Sequence, residues 1–359
     1  MRALRDLARP TAARPAPAPR RGRYLPLLMN QRVGLTLVII ALVVVFSSLR
    51  PAFLDTRLTI APLLADITVY IVVGLAQLAV LSLGHMNVAV GRMAALSTFA
   101  MGFAYSQWDV PLIVGLLIGL AVGAAIGALS GGIIAVTGVN SFVVTLALDF
   151  GLLGLVTILY TRFAGGVAFS ARPAGLSALR NDTFANYCLG DVCGPRIPLV
   201  LPIAVIAAIA VGVLFRHARV GREMLMSGSN MRAAELSGIP TRRRVVQAHA
   251  LSGLLAALAG FLLAANNGAF SAAIGEQFLL PSFLAPVLGG TLLAGGAVSV
   301  LGTVLGATAS QVIYKGLNLL QFSLENLKIY IGLVLLVALS LDRVRTVLVQ
   351  RRQDREAAK

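Results

Sequence analysis

The stretch RHARVGREMLMSGSNMRAAELSGIPTRRR, residues 216–244, decides how the rest of the chain is organised. It lies between two long apolar runs, residues 197–215 and 245–265, and it carries seven arginines. Loops between membrane spans that are rich in arginine face the cytoplasm. We therefore expect residues 216–244 to form a cytoplasmic loop between two spans.

The middle of this loop predicts a short helix. Asn230 is a good N-cap residue, residues 231–237 favour a helix, and Gly238 suits the left-handed position that follows a last turn. Pro240 prevents the helix from continuing. Such a helix would span only about 12 Å and is marginal alone, so we expect it to dock against another surface. The alternative is an ordinary loop whose arginines only orient the protein in the membrane.

The composition is that of a protein embedded in a membrane. Of the 359 residues, 58% are hydrophobic and 12% are charged, and a soluble domain of this length could not cover so much apolar surface. We predict an all-α polytopic integral membrane protein. It should have about ten transmembrane helices, including broken or re-entrant segments that are too short to cross straight.

The net charge of +16 follows the membrane topology. The 30 Lys and Arg include eight in residues 1–32, seven in residues 216–244 and six after Leu341. An even number of spans puts these three regions on the cytoplasmic side, where anionic lipid headgroups are a second attraction. The basic runs show no pattern of interleaved aromatic residues, so we expect no nucleic-acid partner.

These patterns divide the chain into three segments. Residues 1–32 are predicted to be a disordered basic cytoplasmic tail, residues 33–342 a transmembrane domain, and residues 343–359 a basic cytoplasmic tail. Residues 162–196 are the main loop on the other side of the membrane. They hold Cys188 and Cys193, which can form a disulfide outside the cytoplasm.

Glycine spacing indicates where helices pack closely. Residues 111–136 read as one long span whose glycines recur at every fourth position from Gly115 to Gly131, which forms a ridge for another helix. Residues 283–294 are too short to cross the bilayer, and we expect them to form a glycine-rich hairpin or re-entrant pair with residues 298–319.

Several motifs together resemble the sugar-type permease family of ABC importers. They are N-x-x-A-A-E-L-x-G-I at 230–239, L-S-G-L-L-A-x-L-A-G at 251–260, V-L-G-G-T-x-x-x-G-G at 287–296 and G-T-x-x-G-A at 302–307. The similarity covers the chain from about residue 35 to residue 342. It implies a permease in the bacterial cytoplasmic membrane that works with cytoplasmic ATPase subunits, an extracytoplasmic solute-binding protein and a second permease, identical or paralogous. The implied solute is a small polar molecule, most commonly a monosaccharide.

The resemblance also assigns candidate site residues. Those of the loop that couples to the ATPase are Asn230, Arg232, Ala233, Ala234, Glu235 and Gly238. Two further segments, residues 82–91 and 139–146, resemble a broken helix within the membrane and the start of the next span. The candidate solute path that they supply is His85, Asn87, Asn140, Ser141, Thr145 and Asp149. The first segment is alternatively a polar turn, and Asp149 is alternatively an interfacial carboxylate paired with an arginine.

Some chemistry is missing from the sequence. The lysines do not lie in a phosphate-cradling Gly-x-x-x-x-Gly-Lys-Ser/Thr loop, so we expect ATP to bind partner subunits and this chain to bind no cofactor and to be no enzyme. The histidines at 85, 217 and 249 are scattered along the chain, and we expect no metal site. The competing class is a proton-coupled secondary transporter that uses Asp66, Asp149 or His85.

Overall fold

The computed structural model describes residues 31–169, 173–183, 188–189, 192–193, 197–321, 329 and 332 of the chain. In order, the helices are α1 (Gln31–Leu49), α2 (Ala61–Leu81), α3 (Val90–Gln107), α4 (Leu112–Thr137), α5 (Ser141–Phe163), α6 (Leu176–Asn181), α7 (Leu201–His217), α8 (Arg219–Ser229), α9 (Met231–Leu236), α10 (Thr241–Asn267), α11 (Leu279–Leu288) and α12 (Val300–Leu319). The four strands have two residues each: β1 (Ala168–Phe169) pairs with β4 (Phe270–Ser271), and β2 (Cys188–Leu189) pairs with β3 (Val192–Cys193).

The described helices confirm an all-α polytopic membrane protein. Five of them, α1, α2, α4, α5 and α10, are long and apolar enough to cross a membrane, and a sixth span results if α7 and α8, bent by 70°, count as one. The shorter or more polar α3, α11 and α12 pack among these spans. The predicted basic tails and the last span lie largely outside the described residues, so the total of about ten spans stays a prediction.

Helix α10 is the centre of the packing, and α2, α3 and α4 surround it. The predicted glycine ridge of α4 faces α10 and α3: a Cβ at Gly127 would overlap the carbonyl oxygen of His249, and one at Gly119 would overlap Met101. Gly289 and Gly302 likewise bring α11 and α12 into backbone contact. Both predictions of close helix approach are therefore confirmed.

The arginine-rich segment is more helical than a loop. The chain bends after α7 and continues as α8, and residues 242–244 belong to the first turns of α10. The connection between the two predicted spans therefore contains more helix than the one short helix predicted in its middle. Although this segment is polar, α8 forms a regular helix that packs one side against the protein. The residues buried on that side include Gly221, Glu223, Met224 and Ser227.

Candidate functional site

The short helix α9 has the predicted ends. The Oδ1 atom of Asn230 accepts a hydrogen bond from the backbone N of Ala233 at 3.0 Å, which satisfies one of the free N–H groups of the first turn. Gly238 has a φ of +77° and follows the last turn. Glu235 accepts a hydrogen bond from the hydroxyl of Thr241 at 2.8 Å, which ties α9 to the start of α10.

The side chains of α9 differ in their exposure. Ala234 is buried at 4% exposure, whereas Ala233 and Arg232 are exposed. The most exposed apolar side chain is Leu236, at 92%, and Met231 is 42% exposed. Of the predicted coupling residues, Ala234 therefore packs inward, and the most exposed apolar side chain of the helix belongs to Leu236.

A buried ion pair joins α8 to α10. Glu223 of α8 accepts hydrogen bonds from Arg219 at 2.6 Å and from Arg244 of α10 at 2.7 Å. These bonds, that from Arg219 first, hold the pKa of Glu223 below its ordinary value. This cluster was not predicted from the sequence, because residues 223 and 244 are joined only by the fold. The buried Arg244 also donates to Gln247.

Helix α8 also touches the segment that separates α2 from α3. Gly228 lies against the backbone of Ser82, where a Cβ would overlap the carbonyl oxygen. That oxygen accepts a hydrogen bond from the backbone N of Gly296 at 3.0 Å. Gly84, with a φ of +74°, packs against Gly295. The arginine-rich helices are thus in direct backbone contact with the broken segment.

The broken segment is held by hydroxyl groups of α5. The backbone N of Met86 donates to the Oγ of Ser141 at 3.0 Å, and that of Val88 donates to the Oγ1 of Thr145 at 3.1 Å. Non-helical backbone at membrane depth needs such partners because no water is available there. Ser141 and Thr145 therefore position the segment, and both are buried.

Asn87 is fully buried at the centre of this arrangement. Its Nδ2 donates to the Oγ of Ser252 at 3.0 Å, and its Oδ1 accepts from the backbone N of Ala89 at 3.1 Å. With its amide turned to satisfy both groups, Gln77 pairs with the backbone of Asn87. The side chain of Asn87 thus uses its hydrogen bonds inside the protein.

Two histidines that are far apart in sequence lie side by side. The Nδ1 of His85 is 3.3 Å from the Nε2 of His249, and the Nδ1 of His249 is 3.4 Å from the Oγ of Ser130. His85 and His249 are thus neighbours in the fold although they are far apart along the chain. In the described part of the chain, His, Cys, Asp and Glu do not form a group of three or more suited to a metal ion.

A cavity of about 500 Å³ joins the short helix to the broken segment. Its lining includes His85, Asn140, Ser141, Met231, Glu235 and Arg242. Asn140 also caps α5 through a 2.8 Å bond from the backbone N of Phe142. Of the predicted solute-path residues, His85, Asn140 and Ser141 meet at this cavity, whereas Thr145 and Asn87 are packed behind it.

Asp149 lies apart from that cavity. It is the ninth residue of α5, half-buried, and its charged neighbour is Arg92 of α3. Arg92 also pairs with Glu276, with the Nη1 and Oε1 atoms 3.7 Å apart. Asp66, the other candidate carboxylate, lines a separate cavity of about 330 Å³ with Asn267.

The two cysteines face each other in the backbone register of β2 and β3, where Cys188 is the partner of Cys193. The disulfide between them stays a prediction.

The chain is similar to known proteins over most of its length. Residues 59–339 match the family model described as branched-chain amino acid transport system / permease component. The chain is 34% identical over 318 residues to the ribose import permease of Bacillus subtilis strain 168, covering 88% of this chain and 94% of that protein. It is 31% identical over 316 residues to the ribose import permease of Escherichia coli K12, covering 88% and 94%.

A third relative is named for a different solute. The autoinducer 2 import system permease LsrD of Yersinia enterocolitica is 29% identical over 293 residues, covering 81% of this chain and 86% of that protein. No solved structure matches the chain. The chain belongs to the sugar-type permease family of ABC importers, and it is the membrane-spanning permease of such an importer.

Proposed function

We propose that two permeases, two copies of this chain or this chain and a paralogue, enclose a solute path across the bacterial inner membrane. ATPase subunits bind at the arginine-rich side, and an extracytoplasmic binding protein delivers the solute on the other side. ATP binds to the ATPase subunits, and this chain has no ATPase site and binds no cofactor. The arginines of residues 216–244 and both termini face the cytoplasm and its anionic lipid headgroups.

The observation that carries the proposal is the exposed apolar end of α9. Leu236 is 92% exposed on a helix of six residues that is capped at Asn230. An apolar side chain this exposed, at the end that carries the arginines, suits the groove of a partner protein. Arg232 lies on the same short helix, where it can form polar contacts at the rim of that groove.

The packing supplies a route from α9 to the membrane interior. The Glu223–Arg244 pair holds α8 against α10, and Gly228 of α8 abuts Ser82. A push on α9 would therefore move α8 and the broken segment with its Asn87 network. Closure of the ATPase subunits on ATP would use this route to switch the path between outward and inward access.

The solute is a small neutral polar molecule, most simply a monosaccharide such as a pentose. Two relatives are ribose permeases and one imports autoinducer 2. The cavity that reaches His85, Asn140 and Ser141 offers imidazole, amide and hydroxyl groups that suit such a molecule. A proton-coupled secondary transporter is disfavoured, because residues 59–339 match the family model of a transport-system permease component.

The test is co-purification of the ATPase with the tagged chain from native membranes in mild detergent. Leu236→Glu should abolish recovery of the ATPase and ATP-dependent solute uptake, because a carboxylate replaces the apolar contact. Leu236→Met keeps an apolar side chain and is the matched control. The position is exposed, so both variants should reach the membrane in wild-type amounts. Full recovery of the ATPase with Leu236→Glu would contradict the proposed docking site.

A further inference from the structure

A close backbone crossing places two charged side chains together, and a third charged residue lies on a neighbouring helix. Gly91 of α3 and Gly275, in the segment after β4, are in backbone contact, and a Cβ on either would overlap the carbonyl oxygen of the other. The next residue on each side is charged, and the crossing brings Arg92 within 3.7 Å of Glu276. Asp149 of α5 is the second acidic neighbour of Arg92.

This charged cluster lies deep in the membrane. Arg92 is fifteen residues before the end of α3 at Gln107, which corresponds to about 22 Å along the helix. Asp149 is eight residues from the start of α5 and fourteen from its end, so it lies about 12 Å and 21 Å from the two ends. Asp149 therefore falls inside the hydrocarbon core of about 30 Å that α5 is long and apolar enough to cross, and Arg92 is its charged neighbour.

The cluster is open on one side. The side chain of Arg92 is 18% exposed and that of Glu276 is 54% exposed. Charged groups that face lipid at this depth are strongly unfavourable, so this open side must face water or another protein chain. It is therefore a candidate wall of the solute path.

The hydrogen-bonding capacity of the cluster is unused. Within the described residues, the guanidinium of Arg92 donates no hydrogen bond, and the carboxylates of Asp149 and Glu276 accept none. The Arg92–Glu276 distance of 3.7 Å is an ion pair and not a hydrogen bond. A cluster of opposite charges that still has free hydrogen-bond donors and acceptors can use them to bind a ligand.

We propose that Arg92, Asp149 and Glu276 form a solute-binding site for a neutral polyhydroxyl molecule partway along the path. The inference rests on the proposed function and names a site for its solute. Sugar hydroxyls can accept hydrogen bonds from the guanidinium and donate hydrogen bonds to the carboxylates. Two carboxylates and one guanidinium leave one net negative charge, so the site disfavours phosphorylated and other anionic solutes.

A purely structural role is the main competing explanation. The Arg92–Glu276 pair would then only fasten the segment after β4 to α3, a task that the Gly91–Gly275 contact already performs. A structural pair and a binding site differ in one respect: only the site discriminates between neutral and anionic sugars. The experiment is therefore built on that discrimination.

The measurement is saturation-transfer NMR on the permease–ATPase complex in lipid nanodiscs. The probes are D-ribose and D-xylose as neutral sugars and D-ribose 5-phosphate as the anion. We expect saturable binding of a neutral sugar to the wild type and to Arg162→Gln, an exposed arginine on α5 that serves as the matched control. Arg92→Gln and Glu276→Gln should each weaken that binding by about tenfold or more, through the loss of a charge-assisted hydrogen bond.

The anion supplies a second and independent result. Asp149→Asn combined with Glu276→Gln changes the net charge of the cluster from negative to positive, so the preference for ribose over ribose 5-phosphate should fall or reverse. Wild-type binding in Arg92→Gln, or no saturable neutral-sugar signal with the wild type, would overturn the site. Failure of the ATPase to co-purify with the wild type would contradict the proposed function. The NMR signal of the sugar is measured separately from that co-purification, so the two failures can be distinguished.

Discussion

Gly91 and Gly275 lie in backbone contact across the boundary between α3 and the segment that follows β4. No other residue type fits either position, since a Cβ at one would overlap the carbonyl oxygen of the other, and Gly275 also has a φ of +88°. This contact sets the positions of the charged residues that follow each glycine, Arg92 and Glu276.

We expect Gly91→Ala to destabilise the protein by about 1–3 kcal/mol, because the neighbouring backbone must shift to admit the methyl group. Thermal unfolding in detergent, followed by size-exclusion chromatography with fluorescence detection, measures the change. Gly154→Ala is the control, since no atom lies within 4 Å of the position of its Cβ. Equal unfolding temperatures for the two variants would contradict the contact.

The glycine ridge of α4 allows a similar comparison within one helix. A Cβ at Gly131 would press on the backbone of Val246 and the side chain of His249, whereas a Cβ at the adjacent Gly132 meets no atom within 4 Å. Gly131→Ala should therefore lower the unfolding temperature and Gly132→Ala should not, although both changes are identical in helix propensity. If both variants unfold alike, α4 does not approach α10 along this ridge.

Local signals were sufficient to predict α9. The residues that start and stop it, Asn230 and Gly238, act on backbone groups within a few residues, so their pattern is visible in the sequence. The glycine ridge was predictable for the same reason, because its period is that of one helix face. The residues of α9 that face outward could not be predicted, since Ala234 is buried only by the tertiary packing.

Pairs of residues from distant segments were beyond sequence reasoning. His85 and His249 are 164 positions apart, and the fold alone brings their rings together. The Glu223–Arg244 pair was hidden in a segment whose polar composition resembles a loop. The position of Asn87 was recognised by resemblance, but its role as a buried hub depends on Ser252, which lies 165 positions away.

The ion pair of Glu223 should make stability depend on pH. The pKa of Glu223 in the folded state is below the ordinary value of 4.5. Its contribution to the free energy of unfolding is therefore fully present above the unfolded-state pKa, and it disappears as the pH falls through the lowered folded-state pKa. Glu223→Gln should therefore unfold at a lower temperature than the wild type at neutral pH. The difference should shrink as the pH drops below 4.5. Unfolding temperatures measured from neutral to acidic pH check this.

Arg219→Gln is the control for that experiment. Arg219 is exposed, whereas Arg244 is buried, with side-chain exposures of 86% and 10%. Removal of the exposed partner should have a small effect, because solvent screens it. Arg244→Gln should be more harmful than Arg219→Gln, since it removes the buried partner and leaves Glu223 with only the exposed Arg219 as a charged partner. Equal effects of Arg219→Gln and Arg244→Gln would contradict a role for the buried pair.

The last prediction concerns Asn87. Asn87→Leu removes the groups that bond the Oγ of Ser252 and the backbone N of Ala89, and both would remain buried without a partner. We expect a loss of stability of about 1–3 kcal/mol, and loss of uptake because the broken segment is displaced. Asn87→Asp should be milder, since its carboxyl group can accept hydrogen bonds from the backbone N–H of Ala89 and from the hydroxyl of Ser252.

Ser252→Ala separates the hydrogen bond from the packing around it. Alone, it removes one partner of Asn87, and combined with Asn87→Leu it should add little further destabilisation, because the bond is already lost. Additive effects of the two substitutions on the unfolding temperature would mean that Asn87 does not act through Ser252. An Asn87→Leu protein with wild-type stability and uptake would show that the hydroxyls of Ser141 and Thr145 hold the broken segment without the Asn87 side chain.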